Sequence, residues 1–491
     1  MGLGWNLGNT FDCFGTWKEI KTPDDQITMW GNVVPTEAMV TTIKKYGFKT
    51  VRFPVTWMSF MDESGNVKAE WMTRVKEVVD WIIKAGLYCI LNVHHDGVSG
   101  NWLSQGAHVK ARYVTLWTQI ATEFKDYDDH LVFESMNEVE YKNGNSFDYN
   151  SLLTLTQAFV DTVRSLGGKN SDRLLLISGM NTNLENTCSS SYKMPTDKAN
   201  KLAISIHYYL PPQFTVESDK NPWTWTDDQG VVHEITPLQK WGDESNYQEM
   251  LTNFETMKKA FVDKGIPVIL GEVGVLTEEK KDKASIREFL LAEYSFSAGY
   301  DGFMSILWDT FKNTAGDMNF YNRETDKWYD EQIRDNFINI ASGKFVNPTE
   351  YLVNSNSETS YKVDSDGNAQ INIGSKKVIK LFLMPKLAVL LIFGMSVLEL
   401  LVLIKPENGS ETQLVELKEK IKMMVLILSP LMLVIKISTT MSKSKDGGEM
   451  IILQLIMSLL NSKEVLKSLI TMLIKLLLKK QFQINKLNFI W

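Results

Sequence analysis

Between residue 3 and about residue 341, short apolar runs alternate with longer stretches in which apolar positions recur every three or four residues. The short runs predict strands at Leu3 to Asn6, Thr50 to Phe53, Tyr88 to Val93, Leu131 to Met136, Leu174 to Ile177, Ala203 to Ile206, Val268 to Leu270 and Phe303 to Leu307. The longer stretches predict helices at Thr36 to Tyr46, Ala69 to Ala85, Val109 to Phe124, Leu152 to Ser165, Tyr247 to Asp263 and Ala284 to Ala298. Trp71, Val75, Val78, Val79 and Ile82 illustrate the spacing: they share one face, as in a helix packed on a sheet. Gly47 and Gly86 follow the last turns of two predicted helices, where a left-handed residue readily ends a helix.

Strands that are apolar throughout are buried on both faces, which is the pattern of parallel sheets with helical crossovers. The fold class is therefore α/β. Eight units in roughly 340 residues fit a (β/α)8 TIM barrel with enlarged loops. A doubly wound open sheet is the alternative, but no Gly-x-Gly-x-x-Gly follows the first strand. The segment Asn183 to Tyr192 is too polar to predict a helix, so the fifth crossover is the weakest part of the count.

The pattern changes twice after the barrel. Residues 342–380 read as a linker and the start of a small β module, with Tyr361-Lys362-Val363-Asp364 and Gln370-Ile371-Asn372-Ile373 flanking Asp366-Gly367. Residues 381–491 are a Lys, Leu, Ile and Met mixture with a single Asp, no Tyr, and Trp only at the last position. Leu387 to Ile404 is a nearly continuous apolar run that reads as a membrane span interrupted by Glu399, and Met423 to Ile437 is similar but contains Pro430 and Lys436. A membrane anchor and a packed helical domain are both weaker readings of this tail than out-of-frame translation, because these amino acids have AT-rich codons.

Composition narrows the function classes. A net charge of -7 with no basic stripe in the barrel region excludes nucleic acid as a partner. Most of the 14 Trp read as core residues, and the rest offer platforms for flat ligands such as sugar rings. Cys13, Cys89 and Cys188 are odd in number and widely spaced, so neither a disulfide framework nor a metal or redox pair follows, and no cofactor is expected. Met1 runs directly into the first strand with no leader before it, and the natural start is expected to be missing.

Two predicted strands lead into glutamates. Leu131-Val132-Phe133-Glu134-Ser135-Met136-Asn137-Glu138 places Asn137 and Glu138 where the fourth strand ends, and Pro267-Val268-Ile269-Leu270-Gly271-Glu272 places Glu272 at the end of the seventh. Singly, each is an ordinary loop glutamate. Together, on the carboxyl rim of one barrel, they make a carboxyl pair, which is what cleaving a glycosidic bond requires. Arg52 ends the second strand and is suited to holding one carboxylate ionised. His94-His95-Asp96 and His207-Tyr208-Tyr209 end the third and sixth. Neighbouring strand residues point to opposite sides, so contact with a sugar is a better reading of His94 and His95 than a shared metal ion. Trp308 ends the eighth strand, placed to stack under a pyranose.

Gly4-Trp5-Asn6-Leu7-Gly8-Asn9-Thr10-Phe11-Asp12, Arg52-Phe53-Pro54, His94-His95-Asp96, Asn137-Glu138, His207-Tyr208-Tyr209, Gly271-Glu272 and Trp308 follow one another in this order within a barrel region of roughly residues 2–341. This set resembles glycoside hydrolase family 5, the cellulase family of clan A. Trp30-Gly31-Asn32 and Gly100-Asn101-Trp102-Leu103 resemble its bacterial endoglucanase and xyloglucanase branch. The resemblance implies a retaining endo-β-1,4-glucanase with Glu138 as acid/base and Glu272 as nucleophile. Asn6, Arg52, His94, His95, Asn137, His207, Tyr209 and Trp308 would line the site of cleavage. It implies a β-glucan polysaccharide as partner, secretion and a monomer. Xyloglucan, mixed-linkage glucan and mannan are alternative substrates, and a glucan-binding surface protein without activity is the alternative outside enzymes.

Overall fold

The computed structural model describes residues 1–345 apart from 219–223, 227–230, 243–246 and 312–316, together with three strands between residues 359 and 381. The chain divides into two units, Met1–Glu350 and Tyr351–Trp491.

The first unit is a closed barrel of eight parallel strands in the ring order β1-β8-β7-β6-β5-β4-β3-β2. In chain order these are β1 (Gly4–Asn6), β2 (Thr50–Phe53), β3 (Tyr88–Asn92), β4 (Leu131–Glu134), β5 (Leu175–Ser178), β6 (Leu202–Tyr208), β7 (Val268–Val273) and β8 (Phe303–Leu307). Among the described residues a crossover helix follows each: α1 (Glu37–Lys45), α2 (Ala69–Lys84), α3 (Lys110–Glu123), α4 (Tyr149–Ser165), α5 (Leu184–Cys188), α6 (Tyr247–Ala260), α7 (Lys283–Gly299) and α8 (Glu331–Ala341), with further short helices at Pro23–Ile27 after β1 and Pro212–Thr215 after β6. Gly47 and Gly86 close α1 and α2 with φ of 92° and 70°.

The fifth crossover does contain a helix, α5, where the sequence predicts none. It is only five residues long, and the Asn183 side chain caps it by accepting from the Asn186 amide. Asparagine disfavours a helix interior and favours its first cap, so the polarity that hides this helix also starts it.

Inside the barrel, Ile90, Val132, Leu176, Ala203, Ile269, Met304 and Ile306 form an apolar layer. Side chains alternate along a strand, so the residues two positions on face the same interior one layer higher. That layer is polar: Asn92 above Ile90, Glu134 above Val132, and Ser205 then His207 above Ala203. Gly4 makes room for the floor, because a Cβ there would stand 2.7 Å from the Ile306 side chain.

β1 and β8 close the ring, with Gly4 opposite Ile306 and Trp5 opposite Leu307. Trp5 Nε1 donates to Asp309 Oδ2 at 3.1 Å across 304 residues of sequence. Arg323, also buried, donates to Gly8 O at 2.9 Å and to Asp309 O at 2.6 Å, tying the loop after β8 to the loop after β1.

In the second unit β9 (Thr359–Val363), β10 (Ala369–Ile373) and β11 (Lys377–Leu381) form an antiparallel sheet. The Asp366-Gly367 turn and the tail segments Leu387 to Ile404 and Met423 to Ile437 lie outside the described residues. Among the described residues no helix is long and apolar enough to cross a membrane.

Candidate active site

The polar layer opens into a cleft at the carboxyl rim. Arg52, on β2 and fully buried, organises its floor. Its Nε donates to Glu134 Oε2 at 2.7 Å, its Nη1 to Glu272 Oε1 at 2.8 Å and to Asn6 Oδ1 at 3.0 Å, and its Nη2 to Asn137 Oδ1 at 2.8 Å. Burial works against the guanidinium charge, but Glu134 and Glu272 outweigh it and raise the Arg52 pKa above its ordinary value, so it stays charged. Asn6 is fixed in turn, since its Nδ2 donates to Gly271 O at 2.9 Å and Leu307 O at 3.2 Å.

Glu272 lies within β7 rather than beyond its end, and a bulge aims it. Leu270 pairs with Ile206 and Glu272 with the next residue, His207, so Gly271 is the extra residue on β7. Ile269 faces the interior. Strict alternation would turn Gly271 inward and Glu272 outward, and the bulge brings Glu272 to the interior as well. Glycine suits the position, because a Cβ would crowd Ser205 Oγ at 3.0 Å and His207 Nε2 at 3.1 Å. Tyr209 Oη donates to Glu272 Oε2 at 2.9 Å, and the Tyr209 pKa is raised well above its ordinary value by burial and by the charges of Glu272 and Glu138, so the phenol keeps its proton.

Glu138 follows β4 and faces the cleft mouth, its side chain 41% exposed against 6% for Glu272. Its Oε1 is 2.6 Å from His207 Nδ1. Among the described residues His207 Nε2 is buried without a partner, and the Glu138 carboxylate accepts from Nδ1, so Nδ1 is the nitrogen that carries the hydrogen. Carboxylate oxygens of Glu138 and Glu272 lie within 4.8 Å of each other, with His207 beside both. Loss of water raises both carboxyls. At Glu138, His207 overrides it through its charge when protonated and its hydrogen bond, helped by His95 and Arg52, and the pKa falls below the ordinary value. At Glu272 burial, seconded by the charge of Glu138, prevails over His207, Arg52 and Tyr209, and the pKa rises.

His94 and His95 depart from the expectation that they point to opposite sides. Their rings meet edge to face with centroids 4.3 Å apart, because the strand ends at Asn92 and His95 already begins a 3-10 turn, so strand alternation no longer applies. Burial, then the charges of His95, Arg52 and His207, hold His94 well below its ordinary pKa, and it is a neutral ring. It stacks on Trp308 with centroids 5.8 Å apart and planes 3° from parallel. Trp308 is half-buried, and its ring lies against Gly8, where a Cβ would come within 3.1 Å of it. His95 Nδ1 is 2.7 Å from Asp12 O, and its ring sits 5.1 Å from Phe14 and 5.4 Å from Trp30. A continuous aromatic surface therefore leads outward from Trp308 along the loop after β1. Asp12, His94 and His95 also bring ligand atoms within 4.8 Å of one another, as do Glu138, His207 and Glu272. Both groups are part of the hydrogen-bonded wall just described.

All ten residues singled out in the sequence thus meet at one rim. Glu134, Asn92 and Ser205 were passed over. Glu134 Oε2 also accepts from Asn92 Nδ2 at 3.0 Å, and its Oε1 accepts from Ser205 Oγ at 2.7 Å. The available signal was a charge at the end of an apolar strand, two residues after an interior Val132.

The family model for Cellulase (glycosyl hydrolase family 5) matches residues 8–313. The chain belongs to glycoside hydrolase family 5. It is 34% identical over 353 residues to Endoglucanase A of Clostridium longisporum, an alignment covering 69% of this chain and 64% of that protein. Among solved structures, a GH5-4 broad specificity endoglucanase from an uncultured bovine rumen ciliate is 86% identical, with a TM-score of 0.68 over 70% of this chain and 96% of that one. A Glycoside Hydrolase 5 Lichenase from Caldicellulosiruptor sp. F32, in complex with cellotetraose, is 30% identical, with a TM-score of 0.61 over 69% of this chain and 92% of that one.

Proposed function

We propose that this family 5 glycosidase is a retaining endo-β-1,4-glucanase, with Glu272 as nucleophile and Glu138 as acid/base. The observation that carries the mechanism is the spacing of the pair, whose oxygens approach within 4.8 Å. Retaining enzymes hold their carboxyls about 5 to 5.5 Å apart, whereas inversion needs about 6.5 to 9.5 Å to admit a water. Unequal surroundings support the roles. Glu272 is held by Arg52 and Tyr209, donors that favour a carboxylate, while Glu138 stands at the solvent side beside His207.

In the first step a Glu272 oxygen bonds to the anomeric carbon, and the glycosidic C–O bond breaks with its electron pair going to the leaving oxygen. That oxygen takes the proton of Glu138. In the second step Glu138, now a carboxylate, removes a proton from water as the water oxygen displaces Glu272. The protein groups by themselves favour the reverse protonation order, with Glu138 lowered and Glu272 raised. A bound glucan corrects this by removing water from the exposed Glu138, which raises it, while Arg52 and Tyr209 stay on Glu272. Asn137, whose Oδ1 is occupied by Arg52, keeps its Nδ2 for a sugar hydroxyl, and Trp308 offers the stacking face.

The broad specificity named for the ciliate structure favours a substrate range that includes xyloglucan and mixed-linkage glucan beside cellulose-like chains. A polymer cannot enter a cell, so we place the enzyme outside it, acting as a monomer. The test is hydrolysis of a panel of pure cellulose derivative, lichenan, xyloglucan and mannan, with proton NMR of the first product. Initial release of the β-anomer and a rapid loss of viscosity are expected. Release of the α-anomer rejects retention, and binding without cleavage rejects the enzyme reading in favour of a glucan-binding scaffold.

A further inference from the structure

Glu134 ends β4 beneath the cleft and is fully buried. Arg52, Asn92 and Ser205 all donate to it, which is the inventory of an ionised carboxylate. A buried guanidinium is thus held between two carboxylates, Glu134 at 2.7 Å and Glu272 at 2.8 Å.

We propose that Glu134 is a positioning residue for the hydrolysis, which fixes the plane of Arg52 towards Glu272 and remains as its counter-ion when Glu272 becomes a glycosyl ester. This rests on the retaining reading above. Once Glu272 has bonded to the anomeric carbon it is a neutral ester, and Arg52 loses one of its two anions. Without Glu134 the guanidinium would then be a buried, unpaired charge, the costly case for an ion inside a protein. With Glu134 in place the pair beneath the intermediate stays neutral. The same anchor sets direction: with Nε bound to Glu134, the planar fork points Nη1 at Asn6 and Glu272 and Nη2 at Asn137. The negative charge of Glu134 also offsets part of Arg52's field at Glu272 and keeps that carboxylate nucleophilic.

The test uses a dinitrophenyl β-cellobioside, whose phenolate departs with the electron pair of the broken bond and needs no proton from Glu138. The acid limb of kcat/KM then follows ionisation of Glu272. In Glu134→Gln the amide oxygen still accepts from Arg52 Nε and keeps the fork in place, so the full Arg52 charge falls on Glu272 and the limb is expected to move down by about one pH unit. If Glu134→Gln fails to fold by circular dichroism, Glu134→Asp is the second probe: its withdrawn carboxylate should shift the limb in the same direction by a smaller amount. An unmoved limb in the folded Gln variant, or in the Asp variant where Gln is unfolded, overturns the inference. Absence of phenolate release by the wild-type enzyme would instead reject the retaining-glycosidase reading itself.

Discussion

Replacing Tyr209 by Phe removes one hydrogen bond to Glu272 and leaves the ring in place. The bond is short, 2.9 Å to Oε2, while the other oxygen keeps Arg52 at 2.8 Å. A hydrogen bond to a charged group is worth about 1.5 to 3 kcal/mol net, and each pH unit of displacement corresponds to about 1.4 kcal/mol. If half or more of that energy favours the carboxylate over the acid, the Glu272 pKa rises by about one unit in the variant. The sign follows from the donor: the phenol lowers Glu272, so its loss raises it. In a pH profile of kcat/KM on an activated aryl cellobioside, the acid limb should move up by about one unit, so that activity below it falls about tenfold while the neutral plateau changes less. The direction is opposite to that expected for Glu134→Gln, which makes the two variants a matched pair. A limb that stays in place or moves down would refute the assignment of Tyr209 as the donor that stabilises ionised Glu272.

Other outcomes follow from the same contacts. Glu138→Gln should lose turnover on polysaccharide by at least about a hundredfold yet retain much of its activity on an aryl glycoside with a good leaving group, compared by steady-state kinetics. In Glu272→Gly, azide should restore cleavage of an activated substrate and give the inverted glycosyl azide, read by NMR. Glu293 in α7 is buried with only Ser305 on its Oε1, and burial pushes its pKa up to about 8 from 4.5. The folded state therefore keeps a proton that the unfolded state gives up, so stability declines as pH rises from about 4.5 to about 8. Glu293→Gln should flatten that slope by up to about 5 kcal/mol, read from thermal melts across the pH range. Arg173 is buried and donates to the carbonyls of Phe124, Tyr127, Asp128 and Leu131, closing the end of α3. Arg173→Met strands those acceptors and should lower stability by about 3 kcal/mol in urea unfolding without changing KM.

The barrel was legible because parallel strands buried on both sides read as short apolar runs, and Thr50 to Phe53 and Phe303 to Leu307 have the predicted bounds. The rim residues were legible because each polar group interrupts such a run at its carboxyl end. What was hidden depends on contacts distant in sequence. The bulge at Gly271 exists only against β6, and nothing local shows that Glu272 needs it to face inward. Glu134 and Glu138 stand four apart in one segment, and only the third dimension separates the buried anchor of Arg52 from the exposed partner of His207. The two histidines were misjudged because strand alternation was carried past the strand's end at Asn92.

The Trp5 to Asp309 bond gives the barrel a direction in time. β1 is three residues long and has one neighbour, β2, until β8 arrives three hundred residues later. During synthesis the amino-terminal strand, which bears Asn6, therefore waits for almost the whole unit to leave the ribosome before its second edge is covered. Asn6 cannot reach Gly271 and Leu307 earlier, so Arg52 acquires its final alignment only at ring closure. Contacts of such sequence separation form late and slowly. A nascent or half-length chain thus carries most of the cleft residues without a working cleft, and ring closure is the event that turns hydrolysis on.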